Sequence, residues 1–274
     1  MKIAQYYDHE QIRLGRIDGE SLLPLDFQGS MMDFIEQGAP AKPKGPVLPL
    51  EEIRFAPAVS RPSKIIALGL NYMDHARESK GTIPKVPLLF AKFPNSLTGH
   101  KEPLIWSMEI TKKVDFEAEL AVIIGRKIYR PQPHEVMDAV FGYACANDVS
   151  ARDLQFGDGQ WVRGKSLDTF CPLGPWIVTR EEIPDPHSLA IRTTLNGTTM
   201  QDSSTAMMIF KIPEIIHFIS RQITLIPGDV ILTGTPHGVG TFREPSIYMK
   251  DGDVVVVEIE KVGRLVNPCK VLED

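Results

Sequence analysis

The sequence predicts an α+β chain that is mainly β. Three observations predict it: apolar runs of strand length recur along most of the chain, helix signals are few, and two of the runs follow tight turns of one kind. The runs are Lys64–Gly69, Pro87–Lys92, Glu119–Gly125, Leu189–Leu195, Asp229–Gly234 and Asp253–Glu260. The turns are PGD at Pro227–Asp229 and DGD at Asp251–Asp253, a pattern that fits successive strands of a compact sheet system rather than βαβ repetition.

Ahead of these runs, residues 1–60 alternate short strand-like stretches with turn residues and end among Pro40, Pro43, Pro46, Pro49, Pro57 and Pro62. That reads as a small N-terminal α+β domain with a Pro-rich connection, leaving 61–274 as the body. Two helices are predicted within the body. One covers Pro133 to Tyr143; the other puts Ile212, Ile215, Ile216, Ile219 and Ile223 on one face, with Pro213 in its first turn. No solenoid repeat or low-complexity tract interrupts the chain.

With 274 residues, 43% hydrophobic and 24% charged, the chain can bury a full core and lies far from the composition of disorder. Thirty Lys+Arg against 35 Asp+Glu give a net charge of −5, which leaves no basic field for a nucleic-acid backbone. The longest apolar run, Val254–Val257, is strand-sized, so no membrane span is expected. Tyr6, Tyr7, Asp8, His9 and Glu10 stand where a signal peptide needs its apolar stretch, and a cytoplasmic protein is expected. Cys145, Cys171 and Cys269 are odd in number and far apart, which predicts buried free thiols instead of disulfides or a thiolate zinc site.

The chemistry-bearing segment is KKVDFEAELAVIIG at Lys112–Gly125. On a regular strand Asp115, Glu117 and Glu119 project to one side, where three carboxylates are sustained either by a cation among them or by open water. Downstream, GYACANDVSARDLQ supplies Asp148. An all-oxygen donor set suits a hard ion such as Mg²⁺, Mn²⁺ or Ca²⁺ and not zinc. Spacing alone leaves the solvated strand face as the other reading. The glycines Gly234, Gly238 and Gly240 lack the spacing of a phosphate-cradling loop and are read as turn positions.

From about Pro62 to Val266 the chain resembles the fumarylacetoacetate hydrolase family. Seven collinear segments carry the resemblance: KIIALGLNYMDHARE, LLFAKFPNSLTG, VDFEAELAVIIG, GYACANDVSARDLQ, GKSLDTFCPLGPW, SSTAMMIFKIPEII and PGDVILTGTPHGVG. It implies the C-terminal fold of that family, a mixed β-sandwich roll with few helices. It also implies Glu117, Glu119 and Asp148 as ligands of a divalent metal, Mg²⁺ with Mn²⁺ or Ca²⁺ able to substitute, and places Asp115 outside that trio. His75 and Glu78 are implied as a catalytic pair and Lys165 as the catalytic lysine, with Arg152, Gln155 and Thr235 lining the substrate cavity. Phe93 and the stretch HKEPLIWS depart from the family's usual pattern at the cavity rim.

The resemblance further implies a homodimeric hydrolase that cleaves a C–C bond in a β-diketone acid of the acylpyruvate or fumarylpyruvate type, in aromatic catabolism. A 2-oxo acid would chelate the metal, His75 oriented by Glu78 would activate water, and Lys165 would stabilise an enolate held on the metal. The same machinery supports an oxaloacetate decarboxylase or a 2-hydroxymuconate-type isomerase. A reading of another class is a non-catalytic, metal-dependent dicarboxylate-binding protein, which would have no need of a base and an enolate stabiliser together.

Overall fold

A computed structural model of the chain describes residues 1–38 and 42–273; Pro40 of the proline-rich stretch lies outside them. The chain opens with β1 (Lys2–Asp8), β2 (Gln11–Asp18), β3 (Ser21–Pro24), helix α1 (Met31–Gln37) and β4 (Leu48–Pro49). Next come β5 (Ile65–Gly69), α2 (Met73–Glu78), β6 (Leu88–Lys92), β7 (Leu97–Thr98), β8 (Leu104–Ser107) and β9 (Val114–Asp115). The middle holds β10 (Ala118–Ile124), β11 (Val140–Asn147), β12 (Ser150–Ala151), α3 (Arg152–Gly157), α4 (Val162–Lys165) and β13 (Cys171–Thr179). The last part holds β14 (Ala190–Leu195), β15 (Thr198–Ser204), α5 (Ile212–Ser220), β16 (Val230–Leu232), β17 (Val254–Ile259) and β18 (Gly263–Leu272).

Strands dominate and helices are few, as the sequence predicts. An eleven-stranded mixed sheet runs β4-β3-β2-β1-β13-β11-β10-β16-β5-β6, with β7 beside β13. A five-stranded sheet runs β15-β14-β17-β18-β8. Side-chain alternation along β10 ties the layers together. Leu120, Val122 and Ile124 pack with Ile191, Val257, Ile259 and Leu265 of the smaller sheet and with the apolar face of α5. Ala121 and Ile123 face the other way, onto Met31, Phe34 and Ile35 of α1. β10 is thus buried on both faces, which explains why its sequence reads as a continuous apolar run. The leading strands continue the large sheet, since β1 pairs antiparallel with β13.

Two expectations are corrected. Pro133–Tyr143 is not an α-helix: single 3₁₀ turns at Pro133–Glu135 and Met137–Ala139 lead straight into β11. From Val140 onward the backbone is claimed by β10 on one side and β13 on the other, and the β-branched and aromatic residues Val140, Phe141 and Tyr143 suit that pleated site. Asp148 accordingly follows a strand, not a helix. The second correction concerns Ile223, which lies past the end of α5 and is 40% exposed. The three cysteines are free and buried, as expected. Among the described residues no helix is long and apolar enough to cross a membrane.

Sheet register positions the site. β5 and β16 run parallel, with Leu232 beside Ala67, so both deliver their following loops to one edge. β10 is antiparallel to β16 and to β11, and the pair Ala118↔Asn147 places the start of β10 and the end of β11 at that same edge. Four sequence-distant segments therefore converge there.

Candidate active site

Glu117 and Asp148 each lie one residue beyond the Ala118↔Asn147 pair, and Asp148 N–H donates to Glu117 O at 2.9 Å. Glu119 lies two residues further along, on β10. Among the described residues Glu117, Glu119 and Asp148 form one buried cluster in which a carboxylate oxygen of each lies within 4.8 Å of the others. Asp115 does not share their face, because the strand breaks between β9 and β10. Its carboxylate accepts from the backbone N–H groups of Phe116, Gly240 and Thr241 and pairs with Arg152 Nε at 2.8 Å.

At this edge, among the described residues, four buried carboxylates, Asp115 included, stand against three buried cations, Lys92, Arg152 and Lys165. Lys165 Nζ lies 2.8 Å from Glu117 and 2.6 Å from Asp148. Arg152 bridges Asp115 and Glu117, at 2.8 and 2.7 Å. Burial opposes charge on Glu117, yet Lys165 and Arg152 outweigh it and hold that carboxyl at about 2. Glu119 goes the other way: burial, then the charges of Asp148 and Glu117, push it well above the ordinary range. Burial also works against the Lys165 ammonium, but Asp148 and Glu117 overcome it and raise its pKa.

Glu119 supplies the test of fit for a metal. Its Oε2 accepts from Gly234 N–H at 2.6 Å, whereas the buried Oε1 has no hydrogen-bond partner. A buried carboxylate oxygen without a donor, beside two further carboxylates that raise its proton affinity, is what a divalent cation would relieve. The all-oxygen set fits Mg²⁺, Mn²⁺ or Ca²⁺.

The trio borders a cavity of about 240 Å³, which Glu117 lines together with His75, Arg152, Gln155, Lys165 and Thr235. The structure thus brings every site residue expected from the sequence either into the trio or, except for Glu78, onto this cavity wall. Glu78 stands behind His75, its Oε2 3.1 Å from His75 Nδ1 and its Oε1 accepting from Gly238 N–H at 2.8 Å. The i, i+3 spacing on α2 makes that pairing possible. Arg152 is spent mainly on carboxylates; its Nη1 donates to Gln155 Oε1 at 2.9 Å, which leaves the Gln155 amide NH₂ for the cavity.

Two buried side chains that brace the site escape sequence reasoning. Lys92 is fully buried, donating to Asp148 Oδ1 at 2.7 Å and to the backbone oxygens of Val149 and Lys165. A lysine closing an apolar run reads as a solvated strand end, and only the acidic site beyond it gives the residue its partner. Gln201 on β15 is buried and uses its whole amide: Oε1 accepts from Ala118 N–H and Thr193 Oγ1, and Nε2 donates to Thr235 Oγ1 and Pro236 O. With its oxygen already accepting, the Thr235 hydroxyl has its proton free to donate into the cavity.

The chain is similar to known proteins along most of its length. Residues 64–270 match the family model described as fumarylacetoacetate (FAA) hydrolase C-terminal. A mitochondrial oxaloacetate tautomerase of Bos taurus is 44% identical over 248 residues, covering 87% of this chain and 79% of its own. A human counterpart of the same description is 42% identical with the same coverage. Among solved structures, a fumarylacetoacetate hydrolase from Exiguobacterium antarcticum superposes with a TM-score of 0.90 at 36% identity, covering 99% of this chain and 100% of its own. A 2-hydroxyhepta-2,4-diene-1,7-dioate isomerase from Mycobacterium marinum gives 0.84 at 33% identity, with 100% of both chains covered.

Proposed function

We propose that this chain, which belongs to the fumarylacetoacetate hydrolase family, is a divalent-metal-dependent enzyme that interconverts the keto and enol forms of a 2-oxo acid. The observation that carries the reading is the placement of His75, backed by Glu78, on the wall of the cavity that the Glu117, Glu119 and Asp148 cluster borders. The relatives named as oxaloacetate tautomerases support the reaction type.

Glu117, Glu119 and Asp148 would hold the cation, and a bound Mg²⁺, Mn²⁺ or Ca²⁺ supplies Lewis acidity toward the keto group and open positions for the oxygens of the 2-oxo acid. His75 donates its Nδ1 proton to Glu78, so its Nε2 lone pair is left to accept a proton from C3 of the acid. As that proton leaves, negative charge builds on the keto oxygen, where the Lys165 ammonium offsets it. Return of a proton to that oxygen completes the enol. Thr235 and the Gln155 amide donate to the acid's carboxylate and fix its orientation.

The test is exchange of C3 protons for deuterium in a 2-oxo acid such as oxaloacetate, followed by NMR with chelator-treated and Mg²⁺-reloaded protein. Exchange by the reloaded protein well above that of buffer with the same metal is expected. A rate equal to that background overturns the reading. A second reading, C–C hydrolysis of an acylpyruvate, is supported by the likeness over nearly the whole chain to a structure named as a fumarylacetoacetate hydrolase. In it His75 activates water against the distal carbonyl, and release of a carboxylic acid with pyruvate distinguishes it from tautomerisation alone.

A further inference from the structure

We infer that the acid this cavity binds most tightly ends in a flat, apolar group and not in a second carboxylate. The inference rests on the enolising reading for the near end of the ligand and adds what that reading leaves open, the nature of the far end. The cavity wall is divided. Its polar side holds Glu117, Lys165, Arg152, Gln155 and Thr235, whereas Phe90, Trp161, Leu68, Leu70, Phe156 and Phe242 supply its large apolar side chains; Ser79, which also lines it, already donates its hydroxyl to His75 O at 3.0 Å.

The apolar side is built from fixed contacts. Trp161 lies so close over Gly69 that a Cβ there would strike its ring, so the missing side chain is what admits the indole. Phe90 meets Trp161 edge to face, with centroids 5.4 Å apart at 71°. The Lys165 ammonium stands 5.2 Å from the Phe90 centroid, and there the polar side gives way to the aromatic one. Phe242 flanks the His75 ring at 5.8 Å. At the mouth Phe156 and Phe242 are 59% and 39% exposed, apolar surface that a ligand's hydrocarbon end would cover.

A second carboxylate would need a cation or donors on that side. Among the described lining residues the cationic side chains are Lys165 and Arg152, with His75 as the titratable third. Lys165 and Arg152 are engaged with Glu117, Asp148 and Asp115 at 2.6 to 2.8 Å, and His75 Nδ1 faces Glu78. A carboxylate set against Phe90 and Trp161 would surrender its water without gaining a partner. A phenyl-sized group would instead gain offset and edge contacts with both rings.

Calorimetric titration of Mg²⁺-loaded protein with pyruvate, oxaloacetate and phenylpyruvate tests this, together with C3 exchange on the same three acids. Phenylpyruvate should bind about tenfold or more tightly than oxaloacetate, and Trp161→Ala should cut the phenylpyruvate-to-pyruvate affinity ratio by about tenfold. Oxaloacetate binding as tightly as phenylpyruvate overturns the inference, as does an unmoved ratio in the variant. If Trp161→Ala does not fold, the wild-type series decides. Tight, selective phenylpyruvate binding without exchange of any acid upholds the inference while overturning the enolising reading.

Discussion

Glu78 and Gly238 are joined by a hydrogen bond of 2.8 Å, Gly238 N–H donating to Glu78 Oε1 across 160 positions of chain. The other carboxylate oxygen faces His75, so one side chain both orients the imidazole and ties α2 to the loop after β16. Gly238 is needed at its end of the bond, since its φ is +97° and a Cβ would strike the backbone oxygen of Met200. Glu78→Gln keeps an acceptor for Gly238 but removes the charge behind His75. Turnover should fall by about 10–100-fold with KM nearly unchanged, read by steady-state kinetics.

His75→Ala removes the proposed base without touching a metal ligand. Turnover should drop by roughly 10²–10⁴, while the Mg²⁺ affinity measured by calorimetry stays as in the wild type. Near-normal turnover would reassign the base.

Glu119 should make the metal-free protein sensitive to rising pH. Burial and its acidic neighbours raise its folded pKa above the ordinary 4.5, so above pH 4.5 the folded chain retains a proton that the unfolded chain has released. Stability contributed here is lost as pH rises, and a divalent cation should restore it. Glu117 acts oppositely: held at about 2, it adds stability above pH 4.5 that disappears as pH falls toward 2. Urea midpoints between about pH 2 and 8, with chelator and with Mg²⁺, check both. Glu119→Gln should flatten the chelator curve and abolish the rescue.

Lys92→Met tests the buried cation that sequence reading missed. The substitution leaves Asp148 with Lys165 as its charged partner and strips a donor from two backbone oxygens. Breaking such a pair costs about 3–5 kcal/mol, to be read from denaturant unfolding of metal-free protein. Mg²⁺ should recover part of that loss.

His100 gives a pH response remote from the trio. Its Nδ1 accepts from Val266 N–H at 3.1 Å, and burial, then Lys101 and Arg264, lower its pKa from 6.5 to about 4. Below 6.5 the unfolded chain takes up a proton that the folded one refuses, so stability is full above that pH and falls as pH drops toward 4. His100→Gln should remove up to about 3 kcal/mol of that dependence, measured as the difference between the two unfolding profiles.

Strands that are buried on one or both faces were legible because their apolar runs record that burial. β11, β13 and β18 were not. The first half of β11 reads as the end of a helix, whereas β13 carries Pro172, Gly174 and Pro175 and β18 mixes charges with Pro268, so those two read as loop until their neighbours are known. In the site, the E-x-E spacing of Glu117 and Glu119 was visible, but their burial and the approach of Asp148 depend on the register of β10 with β11. Family resemblance named those residues; alternation alone wrongly grouped Asp115 with them. Gln201 carried no signal, because a lone amide in a polar hairpin gives no hint of the four groups it satisfies.

The order in which the chain is made differs from the order in which the large sheet is stacked. β16, near the end of the chain, slots between β10 and β5, and its parallel bond to β5 spans more than half the protein. Until residue 232 has emerged from the ribosome, β5 and β10 each present an open edge at what will become the middle of the molecule. Such edges invite pairing with other nascent chains. Biogenesis therefore has its vulnerable interval until β16 has emerged, and a holdase acting on the unfinished polypeptide would protect it there.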